Sequence, residues 1–407
     1  MPAPNAGKRH IAPDRPTSSS WVRDNFIVGR VLGSGTFGNV YQIKCRREPG
    51  TSYAMKELAR NNLPKFIAME LRILQRFGGV HNIMKIHAAH RERDRVFIVM
   101  DYFEHTPTKE IIASVTVPEI LDYMKNLLDA LRYLHGKGII HRDVKPSNFL
   151  YNRPKHKYCL IDFGLCEEIS DMPSSLKLMR SHHGVNRERD ALKSLGVSDQ
   201  NRKICEKSET KRGLNERDVI VTVCHVYVTY VPSGLDFMST KLAGTPGFRA
   251  PEVLLKYRQQ TSLVDIWSAG ITFLSLLCRK HPVMRPNDDY EAIGQMAIIF
   301  GSEPIERLAR KNNSVLLASW DFPGLDMVKF VDAIRNDEIP QQGKYCDTCR
   351  NLFFGNYGAK CMCRVSEEYS LRQLAPDERQ AFEILKRCLM VDPDMRYTAE
   401  MLSASFS

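Results

Sequence analysis

The chain has 407 residues, 43 % hydrophobic and 26 % charged, with 24 Gly and 21 Pro; these values exclude a collagen-like chain, a coiled-coil rod and a wholly disordered polymer. Its 58 basic residues exceed its 47 acidic ones for a formal charge of +11, which favours acidic partners but does not choose between nucleic acid, an acidic peptide and a phosphorylated ligand. The 11 cysteines are an odd number in a chain long enough to bury its own core, and read as free thiols of a reducing compartment rather than a disulfide framework.

In chain order, residues 1–20 are rich in Pro, Ser and Asn without periodicity, and read as a flexible N-terminal arm. They contain no apolar core of a secretory signal. Short strands are predicted at Phe26–Val28, Arg30–Leu32, Asn39–Ile43, Ser52–Lys56 and Arg95–Met100, and a helix over Leu63–Phe77 with Pro64 near its start. Residues 26–103 therefore read as a small antiparallel sheet carrying one main helix, followed by a joint at Asp101–His105. Apolar residues at 120, 121, 124, 127, 128, 131 and 134 place one stripe on a helix of about 18 residues. Residues 262–277 are apolar on every side, so they predict a helix buried in a helical lobe, and 378–390 a third helix. These apolar runs are interrupted and too short to span a membrane, so the protein is expected in the cytosol or nucleus. Two stretches, 170–217 and roughly 300–377, do not fit a compact core; Val219–Val231 is a β-branched run that predicts one or two strands.

Gly33, Ser34, Gly35 and Gly38 form a glycine loop that is followed by a strand, where a dinucleotide fold would require a helix. Strand, glycine loop, strand is a flap that can lay backbone amides over phosphates; the competing reading is a plain hairpin. Lys56, 18 residues past Gly38, can pair with phosphate oxygens if Glu70 on the following helix fixes its ammonium. His141-Arg142-Asp143-Val144-Lys145-Pro146-Ser147-Asn148 carries the strongest signal. Asp143 can accept the proton of an incoming hydroxyl, Lys145 can steady a transferred phosphoryl group, and Asn148 can hold a divalent metal through its side-chain oxygen. Asp162, in Asp162-Phe163-Gly164 after an apolar strand, is the second candidate Mg²⁺ ligand. Glu252 predicts a buried salt bridge to Arg396, and Asp265 at the start of the buried helix can cap the backbone of the 141–148 loop.

This ordered set, from Gly33 to Arg396, resembles the eukaryotic protein kinase catalytic domain over residues 26–402. The resemblance implies an α+β, bilobal protein-kinase-like fold: an antiparallel-sheet N-lobe over 26–100, a hinge over 101–105 and a larger helical C-lobe over 106–402, with an activation-segment insert at 170–240 and a C-lobe insert at 300–377. It implies ATP and Mg²⁺ as cofactors, with ATP bound by Gly33, Ser34, Gly35, Gly38, Val40, Ala54, Lys56, Met100, Asp101, Phe103, Asn148 and Asp162. It implies Lys56 and Glu70 as the active-state pair, Asp143 as catalytic base, Met100 beside the adenine, and Lys145 with Thr245 as marks of Ser/Thr specificity. Three features resemble the DDK catalytic subunits, the replication-initiation kinases of the cell-division-cycle series: His141–Asn152, Ala243–Leu254 (AGTPGFRAPEVL) and the 89 residues between Asp162 and Glu252. That narrower resemblance implies a nuclear enzyme activated by a regulatory subunit of the Dbf type. It also implies phosphorylation of Ser/Thr in the acidic tails of the MCM replicative helicase to trigger origin firing. No sequence-specific nucleic-acid contact is expected. The alternatives are another acidic-site-directed Ser/Thr kinase, casein-kinase-like and independent of a subunit, and a kinase-shaped scaffold. Arg249, with Lys256 and Arg258, is expected to read acidic residues next to the acceptor.

Cys346, Cys349, Cys361 and Cys363 have a spacing at which four thiolates could close a structural Zn²⁺ site; chance clustering of free thiols is the other reading. Cys45, Cys159, Cys278 and Cys388 lie in apolar segments and read as core thiols.

Overall fold

The computed structural model describes residues 16–35, 38–58, 62–169, 231–232, 244–257, 260–312, 314–315, 322–336 and 367–406. The chain divides into two compact units, Met1–His105 and Thr106–Ser407. The architecture is the bilobal protein-kinase fold, a sheet-based N-terminal unit and a mostly helical C-terminal one.

The first unit begins with a helical turn at Pro16–Ser18 and helix α1, Ser20–Asn25. The expected arm over 1–20 is thus corrected for 16–20, while residues 1–15 lie outside the described residues. The same composition that read as disorder is capping chemistry. Ser19 accepts from the Val22 N–H as N-cap and donates from Oγ to Glu92 Oε2 at 2.5 Å. Strands β1 (Phe26–Gly35), β2 (Gly38–Cys45), β3 (Ser52–Leu58), β4 (Ile86–Glu92) and β5 (Arg95–Asp101) form one antiparallel sheet in the order β1-β2-β3-β5-β4. The runs 26–28 and 30–32 are one strand, because register shifts after Val28 and Val31 absorb the break in alternation. β4 was not predicted: it is a half-buried edge strand, Ile-His-Ala-Ala-His-Arg-Glu, with a single β-branched residue.

Alternation along the strands sorts the sheet into two faces. Tyr41, Ile43, Met55, Phe97 and Val99 form a core cluster with Val22 of α1 and Phe26. Trp21 packs against this cluster and stacks on His90 with ring centroids 4.5 Å apart. The residues between these point to the opposite face. Helix α2, Pro64–Phe77, buries Glu70, Ile73, Leu74 and Phe77, and meets that face through Glu70 and Lys56.

The second unit opens with α3 (Thr108–Ser114) and α4 (Val117–Gly136). Thr116 and Glu119 close a capping box at the start of α4, and of the expected stripe Ile120, Met124, Leu127, Leu128, Leu131 and Leu134 are buried while Leu121 at its edge is half-buried. Short strands β6 (Ile139–Ile140), β7 (Phe149–Asn152), β8 (Lys157–Leu160) and β9 (Glu167–Glu168) follow, with β6 antiparallel to β9 and β7 to β8. β10 (Val231–Pro232) pairs with β11 (Ser314–Val315). The rest of the 219–231 run, and residues 170–230 generally, lie outside the described residues.

Helices α5 (Pro251–Leu254), α6 (Leu263–Leu277), α7 (Asp289–Phe300), α8 (Ser302–Lys311), α9 (Met327–Arg335), α10 (Glu367–Arg372), α11 (Pro376–Cys388) and α12 (Ala399–Ser403) complete the unit. α6 is buried from Val264 to its end and packs against α4 and α11. The expectation that 300–377 stands outside the core is corrected at 302–311 and 327–335. α8 buries Ile305, Leu308 and Ala309, and α9 buries Met327, Phe330 and Val331. The apolar stripe of α8 is narrow and lies among charges, and α9 is a nine-residue helix, too short for its period to stand out. Burial pushes the thiols of Cys278 and Cys388 up to about 12, which makes them inert core groups, as expected; Cys159 is also buried and Cys45 half-buried.

Glu252 and Arg396 meet in the interior, at 2.6 Å (Nη1 to Oε1) and 3.0 Å (Nη2 to Oε2), with side chains 2 % and 0 % exposed. The guanidinium also lies 5.1 Å from the Trp267 ring and donates to the Leu263 carbonyl. Removing one partner strands a buried charge. Glu252→Gln should therefore destabilise the protein by about 3–5 kcal/mol in urea unfolding, and adding Arg396→Met should recover part of that loss. A cost below about 1 kcal/mol would show that the pair does not anchor this region.

Candidate active site

In the first unit, β1 and β2 form a hairpin whose register matches Gly33 with Val40, Ser34 with Asn39 and Gly35 with Gly38. A side chain at Gly33 or Gly35 would meet open space, whereas a Cβ at Gly38 (φ +136°) would lie 2.0 Å from the Glu57 carbonyl oxygen. Gly38 is therefore required by the close approach of β3, and Gly33 and Gly35 leave the flap unobstructed. Ser34 donates to Asn39 Oδ1 at 2.7 Å. The ladder then pairs Val40 with Lys56 and Ala54 with Met100, which puts Val40, Ala54, Lys56 and Met100 on one sheet face. Lys56 Nζ donates to Glu70 Oε1 at 2.6 Å, in the pairing expected, with both side chains at most 10 % exposed. At the end of β5, Asp101 is exposed and faces His87 at 2.5 Å, and the half-buried Phe103 offers its carbonyl to His105 Nδ1.

In the second unit, the loop after β6 is held from below by Asp265, the third residue of α6. Its carboxylate is fully buried. Oδ2 accepts from the backbone N–H of His141 at 2.7 Å and from His135 Nε2 at 2.9 Å, and Oδ1 from the N–H of Arg142 at 2.8 Å. This is the expected cap on the catalytic loop. Arg142 adopts φ +73°, a left-handed conformation that residues other than glycine take uncommonly, and the bond to Asp265 helps hold it there.

Asp143, Lys145, Asn148 and Thr245 come together in one network. Thr245 Oγ1 donates to Asp143 Oδ1 at 2.6 Å. Lys145 Nζ donates to Asp143 Oδ2 at 2.8 Å and to Thr245 Oγ1 at 2.7 Å, and Asn148 Nδ2 donates to Asp143 Oδ2 at 3.0 Å. Burial opposes the charge on Asp143. The Lys145 ammonium and the hydrogen bonds from Lys145 and Thr245 outweigh it and hold the carboxyl below the usual range. Asn148 Nδ2 also donates to the Asp143 carbonyl at 2.8 Å, so both amide hydrogens are committed and Oδ1 is turned away from Asp143. Asp162 is half-buried at φ +67°, right after Ile161, whose N–H donates to the Asn148 carbonyl.

Two side chains behave in ways the sequence reading did not anticipate. The buried Arg142 forms an ion pair with the half-buried Glu167 at 2.6 Å and bonds Gln260. Arg249 is already occupied: it donates to the Gly244 carbonyl at 3.1 Å and to Asp289 Oδ1 at 2.9 Å. The reader of acidic residues expected there has an acidic partner of its own. Cys346, Cys349, Cys361 and Cys363, and Arg258, lie outside the described residues.

A model of the protein kinase domain matches residues 26–185 and 228–406. The chain belongs to the protein kinase family. Among its relatives is a Drosophila melanogaster non-specific serine/threonine protein kinase, 30 % identical over 91 % of this chain and 66 % of that protein. A Mus musculus cell division cycle 7-related protein kinase is 30 % identical over 76 % of this chain and 72 % of its own length. A probable cell division control protein 7 homolog of Encephalitozoon cuniculi is 33 % identical over 79 % and 80 %. The chain thus spans about two thirds of the Drosophila protein and more of the other two. As a kinase-family enzyme it is a serine/threonine protein kinase, whose fold implies ATP and with it Mg²⁺.

The donor set fits that metal. Mg²⁺ takes one or two protein oxygens and completes its shell with water and phosphate oxygens; the Asn148 Oδ1 and the Asp162 carboxylate are such oxygens. Among the described residues no cluster of three or more His, Cys, Asp or Glu forms a separate metal cage.

Burial also opposes the charge on Asp265. The hydrogen bond and charge of His135, then the His141 side, outweigh it and depress its carboxyl below the usual 3.8. A depressed carboxyl contributes stability that is full above the unfolded-state value and is lost as pH falls through the folded one. The stability difference between wild type and Asp265→Asn should therefore be present at pH 5 and shrink as the pH falls below about 4. Urea melts across that range test this; a difference that grows on acidification would contradict it.

Proposed function

We propose that this kinase is a replication-initiation kinase of the DDK type, phosphorylating Ser/Thr in the acidic tails of the MCM replicative helicase to trigger origin firing. In this reading it acts in the nucleus together with a regulatory subunit of the Dbf type. Support comes from relatives named cell division cycle 7-related kinases, from the AGTPGFRAPEVL run, and from the formal charge of +11, which suits an acidic substrate. Among the described residues no helix is long and apolar enough to cross a membrane.

The chemistry is carried by one observation, the Asp143 carboxylate fixed by Thr245, Lys145 and Asn148. Asp143 would take the proton of a Ser or Thr hydroxyl as that oxygen bonds to the γ-phosphorus and the bond to the departing ADP oxygen breaks. Its depressed carboxyl keeps it ionised and ready to accept. Lys145, already against Asp143, would neutralise charge on the transferring group. Asn148 and Asp162 would hold Mg²⁺, which when bound draws charge off the phosphate oxygens. In the first unit Lys56, oriented by Glu70, would pair with the α- and β-phosphates. The Gly33–Gly38 hairpin would cover them, and Val40, Ala54 and Met100 would meet the adenine, with Asp101 and Phe103 along the hinge.

The test is a γ-phosphate transfer assay on an acidic MCM tail peptide, with and without a co-expressed Dbf-type subunit. Transfer to Ser/Thr that rises at least about tenfold with the subunit is expected. Equal transfer without it would favour a casein-kinase-like, subunit-independent enzyme, and no transfer in either case would favour the scaffold.

A further inference from the structure

Arg142 is 9 % exposed, and its guanidinium sits among groups that must neutralise it. A buried arginine left unpaired is costly. In many kinases this demand is met by a phosphoryl group that orders a segment through new contacts to arginine. Here the fold holds a carboxylate in place. Glu167 lies on β9 directly opposite Ile140 of β6, two residues before Arg142, so the β6–β9 ladder sets the spacing of the pair. Its Oε2 is 2.6 Å from Arg142 Nη2, and Gln260 Oε1 accepts from Nη1. The Nε–H finds no acceptor among the described residues. Glu167 is therefore the one carboxylate on this buried cation among the ion pairs of the described residues.

The position of Arg142 matters beyond its own charge. Its N–H is held by Asp265, and it immediately precedes Asp143. A Cβ on Gly244 (φ +99°) would lie 2.8 Å from the Arg142 carbonyl oxygen, so the residue before Thr245 is pressed against this backbone. A shift of Arg142 would move both halves of the Thr245–Asp143 contact.

We propose that Glu167 is a positioning residue, a carboxylate built into the fold that holds Arg142 and the catalytic loop, so that phosphoryl transfer needs no phosphate elsewhere on the chain. The proposal rests on the kinase reading above. Protein stripped of phosphate by a phosphatase, verified by mass spectrometry, should show an initial transfer rate within a factor of about two of the untreated protein. Glu167→Gln should lower kcat about tenfold with KM for ATP nearly unchanged, and Glu167→Asp should restore most of it. A tenfold loss on dephosphorylation of the wild type would overturn the proposal. So would an unchanged kcat in Glu167→Gln. The pairing is also read without activity: Glu167→Gln should lower the melting temperature by about 3 °C or more in the wild-type background and by much less when Arg142 is already Met. Equal losses in the two backgrounds would overturn it even in a preparation that transfers no phosphate. If no preparation transfers phosphate while the melting losses couple, it is the kinase reading that falls.

Discussion

A single buried carboxylate organises the loop over 141–148. Asp265 comes from the first turn of a helix that no face of which suits water, and it reaches the backbone N–H groups of His141 and Arg142. Those two groups belong to a loop that leaves a two-residue strand and immediately takes a left-handed turn. Loop backbone in the interior needs a partner for every donor, and a charged acceptor is stronger than a neutral one. Because α6 is the most completely buried helix of its unit, the acceptor is as rigid as the core. Asp143, Lys145 and Asn148 inherit that rigidity.

The other buried charges follow the same logic, each tied to a partner on a different element. Lys56 is set by Glu70, Arg142 by Glu167, and Glu252 by Arg396. Arg95 is held by Glu57 at 2.7 Å. Buried ion pairs of this kind add little net stability relative to apolar residues of the same size. What they do is fix where each of these side chains sits within its own unit. At Asp143 the compensation goes further, because Lys145 and Thr245 both hold it and also hold each other.

Much of this was legible in the sequence, for physical reasons. The stripe of α4 and the all-apolar α6 repeat one simple period over many residues. The loop motif and Asp162-Phe163-Gly164 combine residue types whose spacing chemistry constrains, and the pairs Lys56–Glu70 and Glu252–Arg396 came with them. Features that depend on tertiary context were not legible. The turn at Pro16–Ser18 and the N-cap of α1 are Pro, Thr and Ser residues that read equally well as disorder until Ser19 is seen bonded to Glu92. β4 is an edge strand with weak alternation. α8 hides a short stripe among charges, and α9 spans only nine residues. Glu167 looks like one of two acidic residues on a short strand, and only the fold, which pairs it with Ile140 and sets it against Arg142, shows its partner. Arg249 had the charge to read an acidic substrate, but its partner Asp289 lies 40 residues away.

The most direct test of the account is the single substitution Asp143→Asn, followed by phosphoryl transfer to a serine peptide and by thermal unfolding on the same preparation. Asparagine keeps the size of the side chain but cannot take the proton. The account predicts a fall in kcat of about a thousandfold in protein that still unfolds cooperatively. Transfer at close to the wild-type rate would contradict it.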